Sequence, residues 1–92
     1  MTYLGLDLGE VSLGIARSDT GIISYGVETY RFPKDHYRQA ANYIKRYILK
    51  ENIDVIVLGY PKHLSSDIGQ RAKVSIEFKE LIEEKTKRKV IL

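Results

Sequence analysis

The stretch GLDLGEVSLG, residues 5–14, decides how the chain is read. Leu4, Leu6 and Leu8 alternate with Tyr3, Gly5 and Asp7, the two-residue period of a β-strand that ends around Gly9. Leu13, Ile15 and Ala16 open a second run that continues toward Asp19, and the short link between the runs predicts a hairpin. Asp7 is the anomaly, a single carboxylate inside an apolar alternating run with Gly5 and Gly9 on either side. A buried, unpaired charge is expensive, so the pattern calls for a cation, a metal ion or a fan of backbone N–H groups opposite Asp7.

Working outward, Asp19, Thr20 and Gly21 form the next turn. Ile22, Ile23, Tyr25, Val27, Thr29 and Tyr30 then supply a third strand rich in aromatic and β-branched residues. The period changes after Pro33, Lys34 and Asp35, which read as a break and a helix start. Tyr37, Ala40, Ala41, Ile44, Tyr47 and Ile48 recur at helical spacing, with Arg38, Lys45, Arg46 and Lys50 on the solvated side. Val55–Leu58 is an uninterrupted apolar run, the signature of a parallel strand covered on both faces, and Gly59 and Pro61 stop it. Ser65, Ser66 and Asp67 are capping types for a second helix with a buried stripe of Val74, Phe78, Leu81 and Ile82. Val90, Ile91 and Leu92 begin a further buried strand. The order is three antiparallel strands, then helix, strand, helix, strand, with the helices placed as crossovers between parallel strands in one mixed sheet.

Composition sets limits on function. With 92 residues the chain builds one small domain, 1–92, around one core. It has no cysteine, which excludes disulfides and thiolate metal sites. No apolar segment is long enough to span a membrane, and the expected location is the cytoplasm. The net charge of +3 permits a polyanionic partner without demanding one. Lys62, His63 and Arg71 flank a loop beyond a parallel strand, where sheets of this kind bind ligands, and are candidates for phosphate contact. Lys85, Lys87, Arg88 and Lys89 read as a solvated helix end favoured by the helix dipole.

Three blocks in order, GLDLGEVSLGIARSD, VLGYPKHL and GQRAKVSIEF, together resemble the YqgF/RuvX family, described as Holliday junction resolvases and as nucleases that mature the 5′ end of 16S ribosomal RNA. The resemblance runs along essentially the whole chain. It implies a ribonuclease H-like fold and a metal-dependent endonuclease acting on structured nucleic acid, precursor ribosomal RNA or branched DNA, and it leaves a homodimer open. It makes Asp7 a catalytic ligand of Mg²⁺ or Mn²⁺, with Glu10 as an outside candidate, and Gly5 and Gly9 would let phosphate approach. The family's turn after the fourth strand is matched by Gly59, Tyr60 and Pro61, and its Gly-x-Arg-Ala segment by Gly69 to Ala72. The family's Asp-Glu-Arg motif after the fifth strand, and an aspartate on a later helix, have no counterpart in these 92 residues. The chain therefore reads as the first two-thirds of the fold, and as inactive by itself. Phosphodiester cleavage with Mg²⁺ needs several converging carboxylates, because hard cations take oxygen ligands and one acid leaves the ion mostly hydrated. Two other functions fit parts of the pattern: a nucleic-acid-binding module that cuts nothing, and a fragment of an actin-like nucleotide-binding protein.

Overall fold

The computed structural model describes residues 1–59 and 68–92. Five strands, β1 (Tyr3–Leu8), β2 (Ser12–Ser18), β3 (Tyr25–Arg31), β4 (Val55–Gly59) and β5 (Lys89–Ile91), form one sheet in the order β3-β2-β1-β4-β5. The β1–β2 and β2–β3 pairs are antiparallel, and β1–β4 and β4–β5 are parallel. Two helices, α1 (Tyr37–Lys50) and α2 (Ile68–Thr86), connect β3 to β4 and β4 to β5. The mixed sheet and the element order expected from the sequence are those observed.

The core lies on one face of the sheet. Leu4, Leu6 and Leu8 pair in register with Arg17, Ile15 and Leu13 on one side, and Leu4 and Leu6 pair with Ile56 and Leu58 on the other. All of these except Arg17 are buried, and they join Ala40, Ala41, Ile44 and Ile48 of α1 and Val74, Phe78 and Ile82 of α2 in one cluster. The opposite parity, Tyr3, Gly5 and Asp7 of β1, Gly14 and Ala16 of β2, Val57 and Gly59 of β4 and Ile91 of β5, faces away from the helices. Within that set Asp7, Val57, Gly59 and Ile91 are exposed.

This one-sidedness corrects two expectations. Val57 is 43% exposed, so β4 is central in the sheet but covered on one face only. Asp7 is exposed and not a buried charge, because strand alternation sends it to the bare face. In β5 only Val90 is buried, and Ile91 and Leu92 are exposed.

Two boundaries also move. The third strand begins at Tyr25, while Ile22 and Ile23, 90% and 72% exposed, precede it. Their N–H groups donate to the Thr20 hydroxyl at 3.0 and 3.1 Å, a side-chain-capped turn that competes with the ladder. Helix α1 starts at Tyr37 with His36 at the N-cap position, not at Pro33, because Asp35 adopts φ +63° and turns the chain out of helical geometry.

Polar ties fix the ends of the elements. The Arg17 guanidinium, on β2, donates to Glu51 at 2.7 Å, Asp19 at 3.0 Å and the Tyr47 hydroxyl at 3.3 Å, binding the sheet to the end of α1. The hydrogen bonds to Tyr47, then Glu51 and Asp19, push its pKa up, so it stays a cation. Arg88, expected in solvent, donates instead to the Ile53 carbonyl at 2.9 Å and to Asn52 and the Thr86 carbonyl at 3.2 Å, clamping the start of β4 against β5. Among the described residues no helix is long and apolar enough to cross a membrane.

A core confined to one face makes the energetic contrast between faces large. Ile44→Ala is expected to destabilise by about 2–5 kcal/mol through lost burial and a residual cavity. Val57→Ala on the bare face is expected to cost less than about 1 kcal/mol. Urea unfolding of both variants checks this, and equal losses would mean that the second face is covered as well.

Candidate active site

Asp7 stands next to last in β1, opposite Gly14 of β2 and alongside Gly59, the last residue of β4. Its neighbours are therefore two glycines. A Cβ placed on Gly14 would lie 3.4 Å from the Asp7 Cβ, so this glycine keeps the carboxylate free of a flanking side chain. Gly5, two residues back on the same face, is also bare, with the Ala16 carbonyl 3.9 Å from where its Cβ would be. These residues line a shallow trough of about 550 Å³ along the uncovered sheet, which reaches to Ala16, Gly26 and Val57. Gly14 was missed in the sequence. Its signal was the short β1–β2 link, which fixes the register that sets it against Asp7.

Gly9 is a structural loop residue. Its N–H donates to the Ser12 carbonyl at 2.8 Å and closes the turn between β1 and β2. That turn is held by the loop after β3: Phe32 N–H donates to the Val11 carbonyl and Asp35 N–H to the Glu10 carbonyl, both at 2.9 Å. Glu10 thus sits at a corner shared with Lys34, whose ammonium lies 3.6 Å from its carboxylate. The Tyr37 hydroxyl donates to Asp35 at 3.1 Å in the same corner. Burial, then the hydrogen bond to Asp35, push the Tyr37 phenol up to about 12.

Among the described residues no group of three or more His, Asp or Glu side chains is placed to hold a metal ion. Asp7 offers one exposed carboxylate and Glu10 is engaged with Lys34, so the described donors do not make up a Mg²⁺ site. Pro61, Lys62, His63 and the caps Ser65, Ser66 and Asp67 lie outside the described residues, as does the side chain of Arg71. Gly69 is the exposed second residue of α2. The helix acids are exposed or half-buried, and Glu83 accepts the Val90 N–H at 3.2 Å, tying α2 to β5.

The strand order and the carboxylate at the carboxyl end of the central strand define a ribonuclease H-like α/β domain. The solved structure of Thermus thermophilus RuvC in complex with Holliday junction substrate has the same fold, with a TM-score of 0.72 at 9% identity, over 98% of this chain and 62% of that one. Residues 1–92 match the RuvX family, described as Holliday junction resolvase, and the chain belongs to that family. A protein of Onion yellows phytoplasma named "Putative pre-16S rRNA nuclease" is 48% identical over 90 residues, covering 97% of this chain and 60% of that protein. One of the same name from Geobacillus sp. is 36% identical over 93 residues, covering 100% of this chain and 67% of that protein. The chain thus spans about 60–67% of the length of these relatives.

The Tyr37 corner is open to a direct test. Its folded pKa is raised above the unfolded value, so it stabilises fully below the ordinary phenol pKa of about 10. That contribution is lost as pH rises through about 12. In a spectrophotometric titration, the difference between the parent and Tyr37→Phe is expected to show one phenol ionising near 12. Ionisation of that phenol near 10 would mean that neither the burial nor the Asp35 contact holds.

Proposed function

We propose that this chain belongs to a metal-dependent nuclease that hydrolyses phosphodiester bonds in structured nucleic acid in the cytoplasm, with Asp7 as one of its metal ligands. The observation that supports this reading most is the placement of Asp7. It is exposed at the carboxyl ends of the adjacent parallel strands β1 and β4, between two glycines, where α/β sheets bind ligands. A carboxylate without a neighbouring side chain is accessible to a hydrated divalent ion and to a phosphate. Mg²⁺ or Mn²⁺, once bound with further acids, would activate water and stabilise the leaving oxygen. The names of the relatives favour precursor ribosomal RNA as substrate, and the complex with RuvC keeps branched DNA as the alternative. Lys62, His63 and Arg71 remain the proposed phosphate contacts.

A second reading, a module that binds nucleic acid without cutting it, rests on there being no group of three or more acids or histidines placed to hold an ion among the described residues. The two are separated by metal-dependent cleavage. In our reading the 92-residue chain binds Mn²⁺ weakly and does not cleave RNA or branched DNA, because the described residues bring too few ligands together. A longer homologue carrying the corresponding aspartate cleaves with Mg²⁺, and loses cleavage when that residue becomes Asn.

In the chain itself, Asp7→Asn is expected to melt as the parent does and to weaken Mn²⁺ binding by about tenfold or more, since even an outer-shell partner of a metal is worth that much. Titration followed by water-proton relaxation measures it. Unchanged Mn²⁺ affinity would make Asp7 a bystander, and Asp7-dependent cleavage by the chain alone would overturn the incomplete-site reading.

A further inference from the structure

The basic excess of the chain is concentrated in one segment. Between Arg31 and Lys50 the sequence holds six cations, Arg31, Lys34, Arg38, Lys45, Arg46 and Lys50, against one carboxylate, Asp35, a net charge of +5. The whole chain carries +3, so the remaining residues are net negative at −2. Such clustering produces a local positive field that the overall charge understates.

Helix α1 lays this segment along β3, the edge strand of the sheet. There the Tyr30 and Tyr43 rings stack with centroids 3.8 Å apart and planes within 8°. Gln39 donates to the Tyr30 hydroxyl at 2.9 Å and the Tyr43 hydroxyl donates to Glu28, which hold the two rings in place. Beside them lies a depression of about 510 Å³ lined by Tyr30, Tyr37 and Tyr43 and by Arg38, Asn42 and Arg46. The last three recur every four residues and so share one exposed face of α1, with the two guanidinium-bearing positions about 12 Å apart along the axis.

These arginines differ from Arg17 and Arg88. Those two spend their donors within the protein, on Glu51, Asp19 and backbone carbonyls. Among the described residues no carboxylate pairs with Arg38 or Arg46. Two unpaired planar forks beside an aromatic cluster are the components of a single-strand binding surface, in which arginines take phosphate oxygens and rings take bases. The loop that leads into α1 is hydrogen-bonded to the β1–β2 turn at Val11 and Glu10, so the Asp35–Tyr37 end of the depression lies at the same end of the sheet as Asp7, on the helix-covered side.

We propose that the α1–β3 edge is a track for a single strand of nucleic acid, with Arg38 and Arg46 on phosphates of that strand and the Tyr30–Tyr37–Tyr43 cluster receiving a base. The track rests on the nuclease reading only for its destination, the carboxylate at Asp7. Its affinity is electrostatic and independent of sequence, and it acts before and apart from any cleavage.

The test is binding of the full chain to a fluorescein-labelled single-stranded RNA, followed by anisotropy across a salt series. Arg38→Ala/Arg46→Ala is compared with Lys85→Ala/Lys89→Ala, which removes the same charge from the far end of α2 and from β5. The arginine pair is expected to bind about tenfold or more weakly, with the slope of log K against log salt flatter by about 1.4, two single-strand phosphate contacts. The lysine pair is expected to change affinity by less than about threefold. Equal losses in both variants, or no loss in the arginine pair, would overturn the track. Tighter binding of a duplex with the same arginine dependence would overturn its assignment to single strands. If the arginine effect holds while cleavage by the longer homologue survives loss of its aspartate, the reading of Asp7 as a metal ligand fails and the track stands.

Discussion

Everything in this molecule depends on the period-two alternation of β1. The strand sits in the middle of the sheet, antiparallel to β2 and parallel to β4, and contributes to both ladders over most of its length. Its even positions, Leu4, Leu6 and Leu8, commit one face to the helices. Its odd positions then have no choice but the other face. A slip of one residue in either ladder would bury Asp7 and expose three leucines, which is why the register is strongly specified. The same alternation that makes the core thus delivers a carboxylate to the bare side. Gly14 and Gly59, brought beside it by the β2 and β4 registers, keep that carboxylate clear of side chains.

Much of this could be read from the sequence. The strand period of residues 3–8, the helical recurrence from Tyr37 to Ile48 and the apolar run Val55–Leu58 are local patterns, and each became the element it predicts. What could not be read depends on what packs where. A continuous apolar run says that a strand is central, but not whether a second layer covers it, and Val57 is exposed for that reason. Ile22 and Ile23 fit a strand by propensity. The Thr20 hydroxyl captures their N–H groups, and side-chain competition of this kind leaves no periodic trace. Asp7 stood out correctly as the residue to explain, yet for a reason that needed amendment: it is an exposed acid on an open face, and not a buried one awaiting a partner. Arg88 was hidden inside a basic tract, where four cations look alike until the fold shows which one finds carbonyls.

The described charges divide between structure and surface. Arg17 and Arg88 staple strands to the ends of helices, and their partners lie on elements distant in sequence. The cations along α1 tie nothing down in this way, and Lys34, in the loop before the helix, faces Glu10. The acids divide likewise, with Glu51, Glu83 and Asp54 engaged in the framework and Asp7 left free of any flanking side chain. A protein that handles a polyanion through a metal needs both kinds of unspent charge, cations to hold the strand and a carboxylate to hold the ion. Here they are kept apart, one along the helix at the β3 edge and the other on the bare face of the sheet.

The account stands or falls on whether Asp7 is where a divalent ion meets the chain. The most direct measurement is the loss of amide signals in a ¹⁵N–¹H correlation spectrum as paramagnetic Mn²⁺ is added in substoichiometric steps. The account expects the earliest losses at residues 6–8, with Gly14 and Gly59 following from across the two ladders. Earliest losses at the acids from Glu77 to Glu84 on α2, with the β1 amides unaffected, would contradict it.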